Sequence, residues 1–461
     1  MKFSYNINYK ITFFFIFWIS IWLSIGVNPQ QIELFLIDLN NNDITIVGLS
    51  KFLRIVIPLI LSLILLFNFI KNMNYNKGFF NYNLSFNLIY ILILLQVISL
   101  LTSENANINF YWIYQSLISL ILIYSITKEN FFYTKIIINL SILILLIVLL
   151  RYSIPFFISF FSTPLSFYNM WPIIYDNDFS VPRPTGLART SLILMSFFIV
   201  FEFQKNKLSI LSNLIIIFCS LNIVLLQSRT IFFLWPLIIL IYLFYSNISN
   251  KLKFKKFFLF LIFPLIIFYT LNYTKHLITN MEYLKSENKY GKIFRLLPLN
   301  LDVIEKKQDE LKKIQIFRDT DPRSFSSFRT KHWREIFENS KKNFLGHGPM
   351  GDRFVGETSA SSLFFYTLAS SGYIGLIFII ILSVRSAYLV IYFIYIKKII
   401  YYKKDKYLIF SCLVLIILFL RGILETSFGI FSIDYLMFIV AILICEINYL
   451  RYKLNVGTLK K

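Results

Sequence analysis

Residues Ser324–Gly375 read SFSSFRTKHWREIFENSKKNFLGHGPMGDRFVGETSASSLFFYTLASSGYIG. The stretch changes character twice. It begins as a polar helix pattern carrying Arg329, His332, Trp333 and Arg334, and then passes through a glycine-rich turn, GHGPMG at 346–351. From about Ser361 it runs apolar. Two of the three histidines of the 461-residue chain fall inside it. The apolar part has the length of a membrane span, since about 20 such residues in a helix cross a hydrocarbon core about 30 Å thick. The polar part is where a water-facing site can be built. The fold class follows from which of these two characters the rest of the chain shares.

It shares the apolar one. The chain is 57% hydrophobic and 19% aromatic, a composition that excludes a soluble globular domain and excludes disorder. The apolar runs are continuous and not alternating, which excludes a β-barrel and leaves an all-α, polytopic membrane protein. The net charge of +22 suggests nucleic acid at first sight. Its distribution excludes that partner, because Lys and Arg sit mostly in short loops between apolar runs, as a topology signal does. Cys219, Cys412 and Cys445 each lie inside an apolar run without a second Cys or His at ligand spacing, so they read as small buried hydrophobes.

Working outward from Ser361, about 12 spans emerge: 11–27, 52–70, 84–101, 110–127, 136–150, 188–203, 210–227, 230–246, 257–271, 361–384, 407–424 and 430–449. The first follows Lys2 and Lys10 and has no small-residue cleavage site, so it is expected to be retained. The tenth is expected to continue past Arg385 to about 396 as a longer or kinked helix. Alternate connecting segments carry the lysines, among them Lys71, Lys77, Lys128, Lys135, Lys251, Lys253, Lys397, Lys398 and Lys453. That side is expected to be cytoplasmic, with both termini inside.

The organisation that results is a bundle of spans over 1–271, one large periplasmic loop over 272–360 between spans nine and ten, and spans ten to twelve with a cytoplasmic tail over 361–461. Residues 156–172, FFISFFSTPLSFYNMWP, are too apolar for a free loop and too broken by Pro164 for a clean span, and they are expected to be re-entrant or interfacial. In the large loop, 300–318 and 327–339 have helical patterns, and Gly346 and Gly348 suit a turn.

Arginine carries the chemistry of the outer face. Arg183 lies in PRPTGLARTS, Arg229 in the tight turn of LLQSRTIFF, Arg329 and Arg334 on the loop helix, and Arg421 near the end of span eleven with Glu425 four residues on. A planar guanidinium matches a phosphate bidentately, as an ammonium cannot. Arginines kept near membrane depth point to an anionic group there. The competing explanations are snorkelling for any one arginine and, for Arg421 and Glu425, a mutual pair at i, i+4. His332 and His347 titrate near neutral pH and are candidate general bases, although a loop histidine is also an ordinary surface residue. Asp176, Asp178, Glu357 and Glu425 are alternative bases. No phosphate loop and no His/Cys metal-ligand cluster is read on the outer face, and no metal and no cofactor is expected.

These residues carry a family resemblance. Arg183-Pro-Thr-Gly186, Ser228-Arg229, Arg329-x-x-x-Trp333 followed by Gly346-x-Gly348, and Gly372-x-x-Gly375 resemble, in order, the short motifs of the bacterial O-antigen polymerase and O-antigen ligase superfamily. The expected topology resembles it as well. The family's ligases carry a His-Asn pair where this chain has Ser361 and Ser362, which favours the polymerase branch.

The resemblance implies a metal-independent glycosyltransferase of the inner membrane. It would polymerise glycan repeat units carried on undecaprenyl pyrophosphate, with a chain-length regulator protein as a further partner. Arg229 and Arg329 would then clamp the leaving pyrophosphate, with His347 as a substitute for the missing histidine. Arg183, His332, Trp333, Arg334, Ser361, Arg421 and Glu425 would contact substrate, and Tyr168, Trp171, Tyr175 and Trp333 would stack on sugars. The alternatives are a ligase passing the glycan to lipid A-core or another acceptor, and a flippase for lipid-linked oligosaccharide. Mid-span charges are few, Asp434 being the main exception, which disfavours the flippase.

Overall fold

A computed structural model describes residues 9–25, 46–71, 84–103, 106–129, 131–160, 184–204, 210–226, 228–271, 273, 329–352, 360–402, 405–429 and 431–458. Each of the twelve apolar runs overlaps a helix over its described residues. The helices are α1 (Tyr9–Ser24), α2 (Ile46–Lys71), α3 (Leu84–Ile98, with a 3-10 turn Ser99–Thr102), α4 (Ala106–Glu129), α5 (Phe131–Phe160), α6 (Pro184–Gln204), α7 (Ile210–Leu226) and α8 (Arg229–Tyr245). There follow α9 (Asn250–Leu271), the polar α10 (Arg329–Lys342), α11 (Leu363–Ile391, with a π turn Tyr392–Ile396), α12 (Lys406–Leu424) and α13 (Ile433–Thr458). Among the described residues, eight helices are long and apolar enough to cross a membrane, and α1, α6, α7 and α8 contain shorter apolar stretches, Lys10–Ser24, Thr185–Phe201, Ile210–Leu226 and Arg229–Tyr245. The chain is thus an all-α, multi-pass membrane protein.

The continuation of the tenth run past Arg385 is observed as an unbroken helix into the π turn at Tyr392–Ile396. The loop helix expected at 327–339 is α10, at Arg329–Lys342. Of the segment 156–172, residues 156–160 continue α5 as helix, and the remainder lies outside the described residues, as do Arg183, the expected helix at 300–318 and most of the large loop.

Polar residues inside these helices are accommodated locally. Ser116, Ser119, Ser141, Ser191, Ser196, Thr367 and Ser386 each donate their hydroxyl to the carbonyl four residues back, so these seven protons are satisfied within their own helices.

The chain divides into two compact units. One comprises Met1–Ile144, Phe244–Asn247 and Arg329–Lys461; the other comprises Leu145–Leu243 and Ile248–Phe328. In the first, α12 and α13 form the most extensive helix pair, and α11 packs on α3, α10 and α12. Polar ties cross its interior. Trp18 Nε1 donates to Ser141 Oγ at 3.0 Å, and the Tyr435 hydroxyl donates to the Ser116 carbonyl at 2.9 Å. The buried Glu446 of α13 accepts from Arg385 Nε at 2.9 Å and Nη2 at 2.7 Å, and also from the Ser85 hydroxyl. Arg54 of α2 donates to the carbonyls of Leu23 (2.6 Å) and Ile25 (3.2 Å), closing the C-terminal end of α1. In the second unit, α6 and α7 pack closely, and Trp235 Nε1 of α8 donates to Ser220 Oγ of α7 at 3.2 Å.

Candidate functional site

The glycine turn and the start of α11 form one interlocked piece. α11 is broken at Gly372, whose φ of 66° and ψ of −165° interrupt the helix. Such a break takes away the partners of carbonyls one turn earlier. Those carbonyls are bonded here by the turn. His347 N donates to the Ala369 carbonyl at 2.7 Å, and Gly348 N donates to the Ser370 carbonyl at 3.0 Å. The glycine loop therefore replaces a missing rung of the helix.

Close approach explains the glycines. A Cβ on Gly346, whose φ is 83°, would meet the backbone of Ser370–Gly372 at 2.6–2.7 Å, and one on Gly372 would meet the Phe344 carbonyl. Of the seven left-handed residues among those described, five (Gly346, Gly348, Met350, Ser361 and Gly372) belong to this piece. Such concentration of unusual backbone marks a place where the fold over-determines its geometry. Two further bonds close it. The buried Asp352 accepts from Ala360 N at 2.7 Å, which ties the two ends of 353–359 together, and Met350 N donates to the Tyr366 hydroxyl at 3.3 Å.

α10 stands on this base. Trp333 Nε1 donates to the Ala360 carbonyl at 2.7 Å, and its ring stacks on Phe365 at 5.0 Å and 8° between planes. One face of the indole is thereby covered by protein. Ile336 joins a small core with Ala360, Tyr366, Leu368 and Ala369. Arg329 lies four residues before Trp333, hence on the same face of α10. It is half-buried, Arg334 is exposed, and no carboxylate among the described residues pairs with either. His332 is half-buried with Glu335 Oε2 3.3 Å from its Nδ1. His347 is half-buried with its Nδ1 3.4 Å from Asn343 Nδ2. Ser361 has a left-handed φ of 50° and immediately precedes the N-cap Ser362.

A second cluster occupies the end of α12. Arg421 is 6% exposed, donates from Nη1 to the fully buried Asp434 of α13, and lies 3.8 Å from Glu425. The pair anticipated at i, i+4 is present, but the nearer partner is Asp434, on the next helix.

In the other unit, Arg229 is the first residue of α8 and is exposed, while the adjacent Ser228 is buried and its carbonyl accepts from Phe232 N at 2.7 Å. The described part of α7 ends at Leu226, and Arg229 begins α8. Among the described residues, no group of His, Cys, Asp and Glu is placed to hold a metal ion.

Reasoning from sequence found the glycines and missed what they dock against. Thr102 Oγ1 donates to the Gly346 carbonyl at 2.6 Å, and Asn109 Nδ2 to the His347 carbonyl at 3.3 Å. The only local signal was a pair of polar residues flanking the α3–α4 turn. Asp352 also went unread.

Residues 214–380, a little over a third of the chain, match the family described as O-antigen ligase. The matched region contains Arg229, Arg329, the glycine turn and Gly372, and it leaves out Thr102, Asn109, Arg421 and Glu425. No curated protein and no solved structure matches the chain.

Proposed function

We propose that the chain, whose residues 214–380 match the O-antigen ligase family, is a member of the O-antigen ligase and polymerase superfamily and polymerises lipid-linked glycan repeat units at the outer face of the bacterial inner membrane. The family supports glycan transfer from a lipid-linked donor. The polymerase branch rests on one observation: Ser361 stands where the family's ligases carry a histidine. The ligase reading is favoured by the description of the matched family, and it is the second reading retained here.

In the proposed reaction the bond between the donor's anomeric carbon and the pyrophosphate oxygen breaks, and its electron pair leaves with the pyrophosphate. A hydroxyl of the acceptor repeat forms the new glycosidic bond and gives up its proton, for which His347 is the proposed acceptor. Negative charge grows on the leaving oxygen, so guanidinium donors aimed at it stabilise the transition state more than the ground state. Arg329 is proposed for this task because it is accessible and no described carboxylate pairs with it. Arg229 is proposed for the same chemistry on the same two grounds. Arg183, outside the described residues, keeps its expected role as a further phosphate or sugar contact.

Deleting the gene and sizing the surface glycan tests the branch. A polymerase predicts single repeats still joined to their acceptor. Long chains left on the lipid carrier with none transferred would establish the ligase and overturn the polymerase. Repeats trapped on the inner leaflet would overturn both in favour of a flippase.

A further inference from the structure

The turn that carries His347 is held from two sides. From one side α11 supplies the Ala369 and Ser370 carbonyls to the turn's amides. From the other, the α3–α4 junction supplies donors to the turn's carbonyls: Thr102 Oγ1 to Gly346 and Asn109 Nδ2 to His347. The Gly346 carbonyl accepts a second bond, from Asn343 Nδ2 at 2.8 Å. Consecutive peptide groups on both sides of His347 are therefore fixed through N–H and C=O alike.

The junction is itself preorganised. Asn109 is fully buried, and its amide also donates to Ser103 Oγ. A Cβ on Gly348, whose φ is 81°, would come within 2.7 Å of Asn109 Nδ2, so the amide and the glycine are fitted to each other. Peptide groups bonded on both sides have no freedom to rotate alone, so any movement of His347 is confined to its own side-chain torsions.

We propose that Thr102 and Asn109 are positioning residues for the transfer reaction, acting through the backbone of the glycine turn to hold His347 in register with the broken helix. Neither lies in residues 214–380, so the matched segment takes one side of its site loop from outside itself. The proposal rests on the glycan-transfer reading for its catalytic part. Its structural part, the seat, stands independently.

The conservative pair Thr102→Val and Thr102→Ser tests both parts. Valine keeps the shape and removes the donor, whereas serine keeps the donor. Amide hydrogen exchange over 345–352 reads the seat without reference to activity. It is expected to rise at least tenfold in Thr102→Val and to stay near wild type in Thr102→Ser, with the unfolding temperature of both close to wild type. Unchanged exchange in Thr102→Val overturns the seat.

The catalytic part is read with lipid-linked glycan extracted from the producing cells. Thr102→Val is expected to lower kcat about tenfold with KM within twofold, and serine to restore it. On a His347→Ala background the same substitution is expected to cost nothing further, as for two residues acting through one element. Full additivity in that background, or normal kcat despite raised exchange, overturns the positioning role. A wild-type protein that consumes no lipid-linked glycan overturns the transfer reading, and with it the catalytic part, while the exchange result still decides the seat.

Discussion

Arg421 and Arg329 begin with the same chemistry and finish differently. Both are arginines expected at the outer face of the membrane. Arg421 is buried against Asp434 with Glu425 close by, so its charge is neutralised by the fold. Arg329 is half-buried on a polar helix, and no described carboxylate answers it. A charge at membrane depth is held only where something pairs it. The Arg421 corner meets that condition with its own carboxylates. At the Arg329 corner the proposed partner is the anion of the substrate. Sequence position alone gave the two residues equal standing as substrate contacts, and it is their partners that separate them.

The largest effect is expected where the fold uses its charge. Arg421→Met takes the guanidinium away from the buried Asp434, which costs about 3–5 kcal/mol when one member of a buried pair is removed. Thermal unfolding in detergent measures it. The double variant Arg421→Met/Asp434→Leu is expected to recover most of the loss, because well-packed apolar residues replace such pairs at little cost. If Arg421→Met keeps the wild-type unfolding temperature and loses turnover instead, Arg421 is a substrate ligand and the contrast with Arg329 collapses.

The opposite pattern is expected at the accessible arginines. Arg329→Lys and Arg229→Lys keep the positive charge and lose the planar fork. Stability is expected to move by no more than about 0.5 kcal/mol in Arg329→Lys, as for a surface substitution. Turnover of lipid-linked glycan is expected to fall on the order of a hundredfold in each, the scale seen when one donor to a developing oxyanion is removed. Near-normal turnover in both variants sinks the proposed phosphate clamp.

What the sequence made legible was local. Continuous apolar runs marked the spans, and the helix through Arg385 followed from its uninterrupted pattern. Gly346 and Gly348 read as a turn, and Arg421 with Glu425 as a pair, because both signals lie within four residues. Illegible were the partners that arrive from elsewhere in the chain. Asp434 comes from the next helix, and Thr102 and Asn109 stand 244 and 238 positions from the carbonyls they bond. Gly372 was legible as a motif glycine, yet its break in α11 depends on a turn docking into the gap, and no helical periodicity encodes that. Arg54 gave no signal either, since capping α1 depends on where α2 happens to pack.

The smallest effect sharpens how Arg329 is held. Trp333, one turn on along α10, does two things: its ring lies on Phe365 and its indole N–H donates to the Ala360 carbonyl. Trp333→Phe keeps a ring for the stack and removes the donor, which costs about 0.5–1.5 kcal/mol for one hydrogen bond. Trp333→Ala removes both, and the loss of aromatic packing adds about 0.5–1.5 kcal/mol beyond the area exposed. If α10 is an arm that carries Arg329, turnover is expected to fall modestly in the phenylalanine variant and further in the alanine variant, in step with the loss of stability. If Trp333→Phe abolishes turnover while the unfolding temperature stays put, the indole N–H contacts substrate and not Ala360. Trp333 would then belong beside Arg329 as a ligand, and the division between residues that hold the site and residues that meet the glycan would have to be redrawn along α10 itself.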